Sequence, residues 1–260
     1  MNVSVFYVAI GNYIDFWSDF YKSCETNFLP GVSKQYFIFT DNVGAFSNSA
    51  LESSLTVTGV HDLGWPLNTL LRFRYFQMVR SKALESDYCF FFNANAYINE
   101  PISLEEILPN GYELVGVIHP GYRNRRKFFL PYERKNKNST AHVGQFGGTH
   151  YYQGCLNGGF SKAYMALVSS CDSSISFDLR SNYIARAHDE SHLNKYFLEN
   201  KPYSLPINYA MPEEWGCDGK IVMRDKSKFD WYGEVKNKRD DGSRFSYVKY
   251  LIKKFIVEKS

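Results

Sequence analysis

The sequence predicts a single α/β domain built on a doubly wound, mostly parallel sheet. Strand-like and helical segments alternate along the chain, which is typical of this class. The run Tyr88–Phe92 is apolar on both faces, as in a strand covered from both sides. At 260 residues, the chain can bury one sizeable core, and it has no repeats or internal linker. We therefore expect the ligand beyond the carboxyl ends of the strands.

The first part of the chain has the order strand, helix, strand, strand, helix, strand. The helix before Tyr88 has its apolar residues Leu71, Tyr75, Met78 and Val79 spaced for one buried face. The predicted segments are residues 3–10, 13–27, 35–40, 55–60, 68–84 and 88–92.

The second part is less regular. Residues 113–119 form another predicted strand, and the polar stretch 120–149 is long enough to indicate a functional or mobile loop. In residues 151–160 the pair Gly158-Gly159 either lets the backbone approach a ligand or another strand, or forms a tight turn. A helix over 162–170 follows.

Charge is concentrated at the carboxyl end. Residues 236–260 hold eight cations and three acids, a net charge of +5, which leaves −2 for residues 1–235. This balance argues against nucleic acid as a partner of the globular part. The tail reads as a basic amphipathic helix that either touches anionic lipid at the inner membrane or packs on the domain.

The cysteines and the amino terminus bear on the compartment. Five scattered cysteines without a C-x-x-C pair indicate reduced thiols. No signal peptide or transmembrane segment is visible, since the apolar start at residues 3–10 is short. A cytoplasmic protein is expected.

The predicted buried strand ends in Asn93-Ala94-Asn95. These amides lie where a ligand is expected, so they are candidates to face it. Asn also tolerates turn geometry, and the tripeptide could simply turn the chain. Both interpretations stay open on this segment alone.

The segment His188-Asp189-Glu190-Ser191-His192 begins a helix-compatible run. Asp189 is predicted as the N-cap, with Glu190 in the first turn, where the helix dipole favours negative charge. Alternatively, the two acids face the ligand edge and act as a nucleophile or stabilise a cation. His188 and His192 lack a third ligand, so zinc is a poor interpretation.

Taken together, these motifs resemble glycosyltransferase family 6, which includes the blood-group A and B transferases and the α-1,3-galactosyltransferases. The longest match is His-Asp-Glu-Ser-His-Leu-Asn-Lys-Tyr at residues 188–196. Further matches follow in the family's order across residues 5–230, namely residues 36–41, 119–121, 132–134 and 151–159.

The resemblance implies a nucleotide-sugar-binding domain of the glycosyltransferase A type, occupying residues 1–235. The implied reaction is retaining α-1,3 transfer of Gal or GalNAc from a UDP-sugar to a galactose-terminated oligosaccharide. Glu190 matches the acid on the reactive face, as nucleophile or as stabiliser of an oxocarbenium-like transition state. Asp189 matches a residue that holds donor-sugar hydroxyls.

Other site residues are carried over from the same resemblance. His119, Gln153 and Glu190 match acceptor-contacting positions, and Gln153 and Cys155 match the pair that selects Gal or GalNAc. The implied donor site comprises Val8, Ala9, Ile10, Tyr13, Arg72, Asn93, Ala94, Asn95, Gln153, Gly154, Cys155, Asp189, Arg224 and Lys228.

The main departure is Asn93-Ala94-Asn95, where the animal enzymes carry Asp-x-Asp. Neutral amides are poor ligands for a hard cation, so we expect catalysis without metal or any other cofactor, as in the bacterial branch of the family. Arg224, Lys226 and Lys228 would then offset the charge of the departing UDP. They could equally form a solvated basic surface.

Two further departures concern specificity. Ala187 replaces a Trp of the animal enzymes, so acceptor identity does not carry over, and a fucosylated H-type β-galactoside is the leading expectation. The small Cys155 leaves room for an N-acetyl group, which predicts UDP-GalNAc over UDP-Gal. The alternative function is a catalytically inactive, transferase-like carbohydrate-binding module. UDP release from a UDP-sugar distinguishes the two.

Overall fold

The computed structural model describes residues 1–46 and 54–233. The predicted tail 236–260 therefore lies outside the described residues. The strands are, in chain order, β1 (Asn2–Ala9), β2 (Ser33–Thr40), β3 (Leu55–Gly59), β4 (Tyr88–Phe92), β5 (Ala96–Ile98), β6 (Leu114–Ile118), β7 (Tyr152–Phe160), β8 (Tyr203–Leu205), β9 (Met211–Pro212) and β10 (Ile221–Met223). The α-helices are α1 (Trp17–Asn27), α2 (Leu67–Leu70), α3 (Arg72–Gln77), α4 (Arg80–Ala83), α5 (Leu104–Ile107), α6 (Ser161–Arg180) and α7 (His188–Glu199).

Seven strands form the central sheet in the order β3-β2-β1-β4-β7-β6-β8. Neighbours pair in parallel except on the two sides of β7, which runs antiparallel to both β4 and β6. The predicted mostly parallel α/β fold is confirmed. A small second sheet, β5-β10-β9, lies beyond the end of β4.

The strand Tyr88–Phe92 is buried on both faces, as its sequence predicts. Phe91 packs into the core on one face, with side chains of α2, α3, α6 and α7. Phe90 and Phe92 point to the opposite face, into a core shared with α1, α5 and β10. Side chains alternate across a strand, so one aromatic run can supply both cores.

The Gly158-Gly159 pair allows β7 to fit between its two neighbours. A Cβ on Gly158 would lie 2.3 Å from the Phe90 ring, and one on Gly159 would lie 2.1 Å from the Glu113 carbonyl oxygen. No side chain fits at these distances. The segment is thus a strand in close contact with other strands, and the tight-turn interpretation is wrong.

Three local predictions are corrected. The predicted helix 68–84 is divided into α2, α3 and α4. The predicted helix 162–170 is much longer, since α6 continues to Arg180. Asp189 is not an N-cap: Ala187 occupies that position, and its amide donates to the Ser191 hydroxyl (2.9 Å).

The polar stretch 120–149 is fixed to the body of the domain by buried carboxylates. Glu133 accepts hydrogen bonds from the Tyr183 hydroxyl (2.7 Å) and from the amides of Arg186 (2.9 Å) and Lys135 (2.9 Å). On α6, Asp178 accepts from the amide of Thr140 (2.9 Å). These hydrogen bonds satisfy buried polar groups of the loop and of the segments that it contacts. The loop is therefore an ordered part of the fold.

Two observations concern the predicted compartment. None of the helices within the described residues is long and apolar enough to cross a bilayer. The five cysteines are all free thiols, of which only Cys217 is exposed.

Candidate active site

The register of the sheet brings the predicted site segments to one edge. Because β1 and β4 are parallel, their last residues, Ala9 and Phe92, lie near each other, and Asn93 directly follows Phe92. Because β7 is antiparallel, its first residues lie at this same edge: Leu156 pairs with Phe92 and Tyr152 pairs with Ile118. The edge therefore collects segments from four strands, as expected for an α/β ligand site.

A large bulge in β7 shapes the floor of the site. On β6, Gly116 pairs with Asn157, and the next residue, Val117, pairs with Gln153. The three residues of β7 in between therefore have no partner on β6: Gly154, Cys155 and Leu156. The bulged segment still contacts β4, since the Asn93 amide donates to the Cys155 carbonyl (2.8 Å). Bulges of this kind redirect the chain beside active sites.

The backbone of Gly154 joins the charged groups of the site. Its amide donates to Glu190 Oε2 (2.7 Å), and its carbonyl accepts from Arg72 Nη1 (2.7 Å). Arg72 Nε also lies 2.9 Å from Asp189 Oδ2, and both side chains are buried. Thus Arg72 from α3, the two acids from α7 and the bulge of β7 form one connected group.

A cavity of about 270 Å³ opens above this group. It is bordered by the bulge, by the start of α7 and by the helices α2 and α3. The lining residues are Thr69, Arg72, Asn93, Gln153, Gly154, Cys155, Ala187, His188, Asp189 and Glu190. Seven predicted site residues are among them: Arg72, Asn93, Gln153, Gly154, Cys155, Asp189 and Glu190.

Two buried acceptor atoms at this cavity lack a donor among the described residues. They are Gln153 Oε1 and Asp189 Oδ2. The Asp189 oxygen is balanced in charge by Arg72, but Arg72 Nε donates its hydrogen to the Thr69 carbonyl (3.2 Å). Buried polar atoms are nearly always hydrogen-bonded in native proteins. These oxygens are suited to accept from the hydroxyls of a bound ligand.

Burial strongly perturbs both acids. Desolvation raises the pKa of Glu190 from 4.5 to about 7, against the opposing effect of the Gly154 amide. Desolvation also raises the pKa of Asp189 from 3.8 to about 6, although the Arg72 charge lowers it. Two adjacent carboxyls that ionise near neutral pH in a cavity are typical of a functional site.

The amide pair after β4 is bonded internally. Asn93 Nδ2 donates to Asn95 Oδ1 (2.9 Å), and Asn95 Nδ2 donates to the Arg224 carbonyl (2.7 Å). Asn93 lines the cavity, whereas the side chain of Asn95 is buried and holds the end of β10. Ala94 is buried and accepts at its carbonyl from the Tyr7 hydroxyl (3.0 Å). Asn93 thus borders the cavity, Asn95 holds the neighbouring segment, and ligand binding by either amide stays a prediction.

This donor set does not fit a hard divalent cation. Such ions prefer charged carboxylates, and here both side chains are neutral, with the Asn95 oxygen already accepting a hydrogen bond. Elsewhere in the described part of the chain, no group of three His, Cys, Asp or Glu side chains is arranged to hold a metal.

Of the three residues expected to bind the acceptor, Gln153 and Glu190 line the cavity and His119 does not. The His119 ring packs against Tyr122, with centroids 4.5 Å apart, and against Tyr151 (6.1 Å). Burial lowers the pKa of His119 to about 4, so its ring is neutral. The buried Tyr151 hydroxyl lies beside the Glu190 carboxylate and interacts with it. Desolvation raises its pKa, and the nearby charge of Glu190 contributes.

The predicted nucleobase positions lie at the end of β1 and in the 3₁₀ helix Gly11–Phe16, which contains Tyr13. Val8 is partly exposed, and Ala9 and Ile10 are buried. The ring of Tyr13 faces Trp231, with centroids 5.4 Å apart. This contact brings the chain after β10 over the end of β1.

The three predicted cations have different surroundings in that segment. Arg224 forms an ion pair with Asp19 (2.8 Å), and Lys228 forms one with Glu213 (2.9 Å). Lys226 Nζ lies 5.0 Å from the centroid of the Tyr13 ring. Burial raises the pKa of Cys155, and the charge of Lys226 is one of the effects that lower it. Of the three, Lys226 thus acts electrostatically on the cavity lining.

One important residue was missed at the sequence level. Asn194 on α7 accepts from the Tyr152 amide (2.8 Å) and donates to the Tyr152 carbonyl (2.8 Å) and to the Glu190 carbonyl (2.9 Å). It therefore fixes α7 against β7 and sets the position of Glu190 over Gly154. Its place four residues after Glu190, on the same helix face, was the available signal.

The two histidines of the α7 motif do not form a pair. His188 lines the cavity, with φ of 52°, and contacts the Trp65 ring edge to face. His192 is buried beside Asp178, whose Oδ2 lies 3.8 Å from its Nε2. Burial lowers the pKa of His192 to about 4 despite this carboxylate. The zinc interpretation gains no support from this geometry.

Comparison with known proteins shows the family of the chain. The family model described as glycosyltransferase family 6 matches residues 1–223. The O-antigen biosynthesis glycosyltransferase WbnI of Escherichia coli is 43% identical over 91% of this chain and 100% of its own length.

Two animal proteins are more distant. The globoside α-1,3-N-acetylgalactosaminyltransferase 1 of Gallus gallus is 30% identical, over 79% of this chain and 60% of its own length. The histo-blood group ABO system transferase 1 of Rattus norvegicus is 30% identical, over 82% and 60%. The chain thus spans about three fifths of these animal relatives.

Proposed function

Because this chain belongs to glycosyltransferase family 6, we propose that it is a retaining α-1,3-N-acetylgalactosaminyltransferase. It moves GalNAc from UDP-GalNAc to the 3-hydroxyl of a β-galactoside, without a metal ion. The observation that carries the proposal is the pair of acids Asp189 and Glu190, held by Arg72 and Gly154 at the floor of a cavity.

The donor sugar is recognised by two buried oxygens of the cavity that have no hydrogen-bond donor among the described residues. Asp189 Oδ2 and Gln153 Oε1 accept hydrogen bonds from its hydroxyls, which satisfies two buried atoms. Arg72 keeps Asp189 in its charged form, since it opposes the effect of burial on that pKa. A charged acceptor makes a stronger hydrogen bond than a neutral one.

Glu190 acts on the anomeric carbon. Its carboxylate either attacks that carbon or stabilises the positive charge that develops there as UDP leaves. The Gly154 amide holds Oε2, which fixes the carboxyl group within the cavity. Tyr151 interacts with Glu190 and packs against His119, and the acceptor hydroxyl approaches from their side.

Cations after β10 offset the negative charge of departing UDP. Lys226 is the best placed, because its charge already affects Cys155 in the cavity lining. Arg224 and Lys228 contribute after exchanging their present partners, Asp19 and Glu213, for phosphate oxygens. Such preorganised charge can supply what a metal supplies in other transferases.

Metal independence predicts that EDTA leaves the initial rate of UDP release unchanged. The physical reason is that the amides of Asn93 and Asn95 offer no charged ligand. The assay uses UDP-GalNAc with protein purified in the presence of EDTA. Strong restoration of activity by Mn²⁺ in that preparation would refute this part of the proposal.

The donor preference follows from Cys155. Its side chain is small, borders the cavity and leaves room for an N-acetyl group. We expect a higher kcat/KM for UDP-GalNAc than for UDP-Gal, and Cys155→Met should lower the rate with UDP-GalNAc more than the rate with UDP-Gal. A clear preference of the native chain for UDP-Gal would overturn the assignment.

The whole proposal is tested by UDP release from UDP-GalNAc with a panel of β-galactosides, including fucosylated H-type acceptors. The product's new linkage and anomeric configuration are read by NMR. An α-1,3 product supports the proposal. If no UDP is released with any acceptor or with water, although UDP-GalNAc binds, the chain is the inactive carbohydrate-binding module.

A further inference from the structure

A second surface of the molecule combines exposed aromatic rings with cations. It consists of residues 123–129 together with Phe146, and we call it the basic-aromatic platform. Every residue from Arg123 to Phe129 is exposed. Phe129 is 67% exposed and Phe146 is 75% exposed, the two highest values among the exposed phenylalanines of the described chain. Large apolar side chains grouped in this way commonly mark an interaction site.

The platform is held in place by the fold. The guanidinium of Arg134 donates to the carbonyls of Lys127 (3.3 Å) and Gly147 (3.1 Å), which ties its two segments together. The rings of Phe128 and Phe146 meet edge to face, with centroids 5.7 Å apart. The surface is therefore formed before any partner binds, which lowers the entropic cost of binding.

The stretch 120–150, which contains the platform, is much more positively charged than the rest of the chain. Residues 120–150 contain seven cations and a single acid, a net charge of +6 in a chain of +3. The acid is Glu133, which is buried and accepts four hydrogen bonds from the protein. Six of the cations are exposed, and the rest of the chain is net negative, at −3.

We propose that the basic-aromatic platform docks on the surface of an anionic lipid bilayer. Aromatic rings at the headgroup level and cations facing anionic lipid are the two contributions that hold peripheral proteins on such surfaces. A neutral glycan would use the rings but would leave the four exposed cations of the platform without a function. The charge pattern thus selects the bilayer.

Docking places the membrane on the acceptor side of the cavity. Tyr122, which precedes the platform, packs against both His119 (4.5 Å between centroids) and Tyr151 (5.6 Å). An acceptor anchored in that bilayer would reach the cavity from this side. The binding itself does not depend on the reaction, and it differs from any contact made by the tail 236–260.

Vesicle co-sedimentation of the full chain tests the proposal. We expect binding to vesicles containing phosphatidylglycerol, weakened by salt, and much weaker binding to pure phosphatidylcholine. The variant Arg126→Glu/Lys127→Glu should bind at least about 25-fold more weakly, from about fivefold for each lost cation near an anionic surface. The variant Phe128→Ala/Phe129→Ala should also bind more weakly, by about tenfold.

Matched controls separate the platform from a general loss of positive charge and from folding defects. Lys82→Glu/Lys201→Glu reverses two exposed cations elsewhere and should bind as the native chain does. All variants should keep the native circular dichroism spectrum and the native rate of UDP release, which also separates this proposal from the proposed function.

Three outcomes would overturn the proposal. The first is unchanged binding of both platform variants, which would assign any membrane contact to the tail. The second is equal binding to neutral and anionic vesicles. The third is no vesicle binding together with self-association that Phe128→Ala/Phe129→Ala abolishes, which would make the platform an interface between copies of the chain.

Discussion

Replacing Glu190 by Gln should separate the stability of the fold from catalysis. The amide has almost the same shape as the carboxyl group and can still accept from the Gly154 amide. It can also donate to the Tyr151 hydroxyl, which interacts with the Glu190 carboxylate in the native chain. We therefore expect the variant to fold and to bind UDP-GalNAc. Its turnover should fall about 10²–10³-fold, as when one charge-stabilising group is removed from an active site.

The same substitution should stabilise the protein, more strongly at higher pH. Glu190 has a pKa of about 7 in the folded state against 4.5 for the ordinary group. A raised carboxyl pKa means that folding binds a proton, so the native chain loses stability as pH rises from 4.5 through 7. The loss is about 1 kcal/mol at pH 5 and about 3 kcal/mol at pH 8, at 1.36 kcal/mol per pKa unit.

Thermal unfolding measures this difference. For a chain of this size, 1 kcal/mol corresponds to about 2–4 °C, so the gain in Tm of Glu190→Gln should be about 4–8 °C larger at pH 8 than at pH 5. Glu85→Gln, at an exposed position far from the cavity, is the control and should show no such trend. Near-normal turnover, or a Tm gain independent of pH, would refute the reasoning.

Two other substitutions test the support of the acids. Arg72→Lys removes the planar guanidinium group, which contacts both Asp189 and the Gly154 carbonyl. The pKa of Asp189 should therefore rise further, and the pH-rate profile should shift to higher pH. An unchanged profile would contradict the role of the ion pair. Asn194→Ala leaves the buried amide and carbonyl of Tyr152 without partners, so urea unfolding should show a loss of about 1–3 kcal/mol and UDP release should slow. Asn200→Ala removes one exposed hydrogen bond on the same helix and should change neither quantity.

The general position of the site could be predicted because it depends on sheet geometry. An apolar run such as Tyr88–Phe92 marks a central strand, and the carboxyl ends of parallel strands meet at one edge. That is why Asn93 was placed correctly before its surroundings were known. The bulge over Gly154, Cys155 and Leu156 had no comparable signal, since it is defined only against the neighbouring strand β6.

The error at Asp189 has a similar cause. The local sequence favours an N-cap, because an acid precedes a helix-compatible run. In the structure the acid is instead one residue inside the helix, where it forms a buried ion pair with Arg72. Local propensity and a long-range charge compete here, and the long-range contact prevails. Sequence rules fail in this way most often at functional sites.

The amide pair after β4 connects the edge of the cavity to the segment that follows β10. Asn93 Nδ2 and Asn95 Oδ1 lie 2.9 Å apart and form a hydrogen bond that is neutral on both sides. Two carboxylates at this distance would repel each other unless a proton or a metal ion lay between them. Asn95 also donates to the Arg224 carbonyl, and the Arg224 amide donates to the Asn95 carbonyl (2.8 Å). The amides therefore satisfy one another and at the same time attach the cation-bearing segment to the edge of the cavity. A carboxylate at residue 95 could not donate to that carbonyl, so the amide of Asn95 is what attaches the segment that carries Arg224, Lys226 and Lys228.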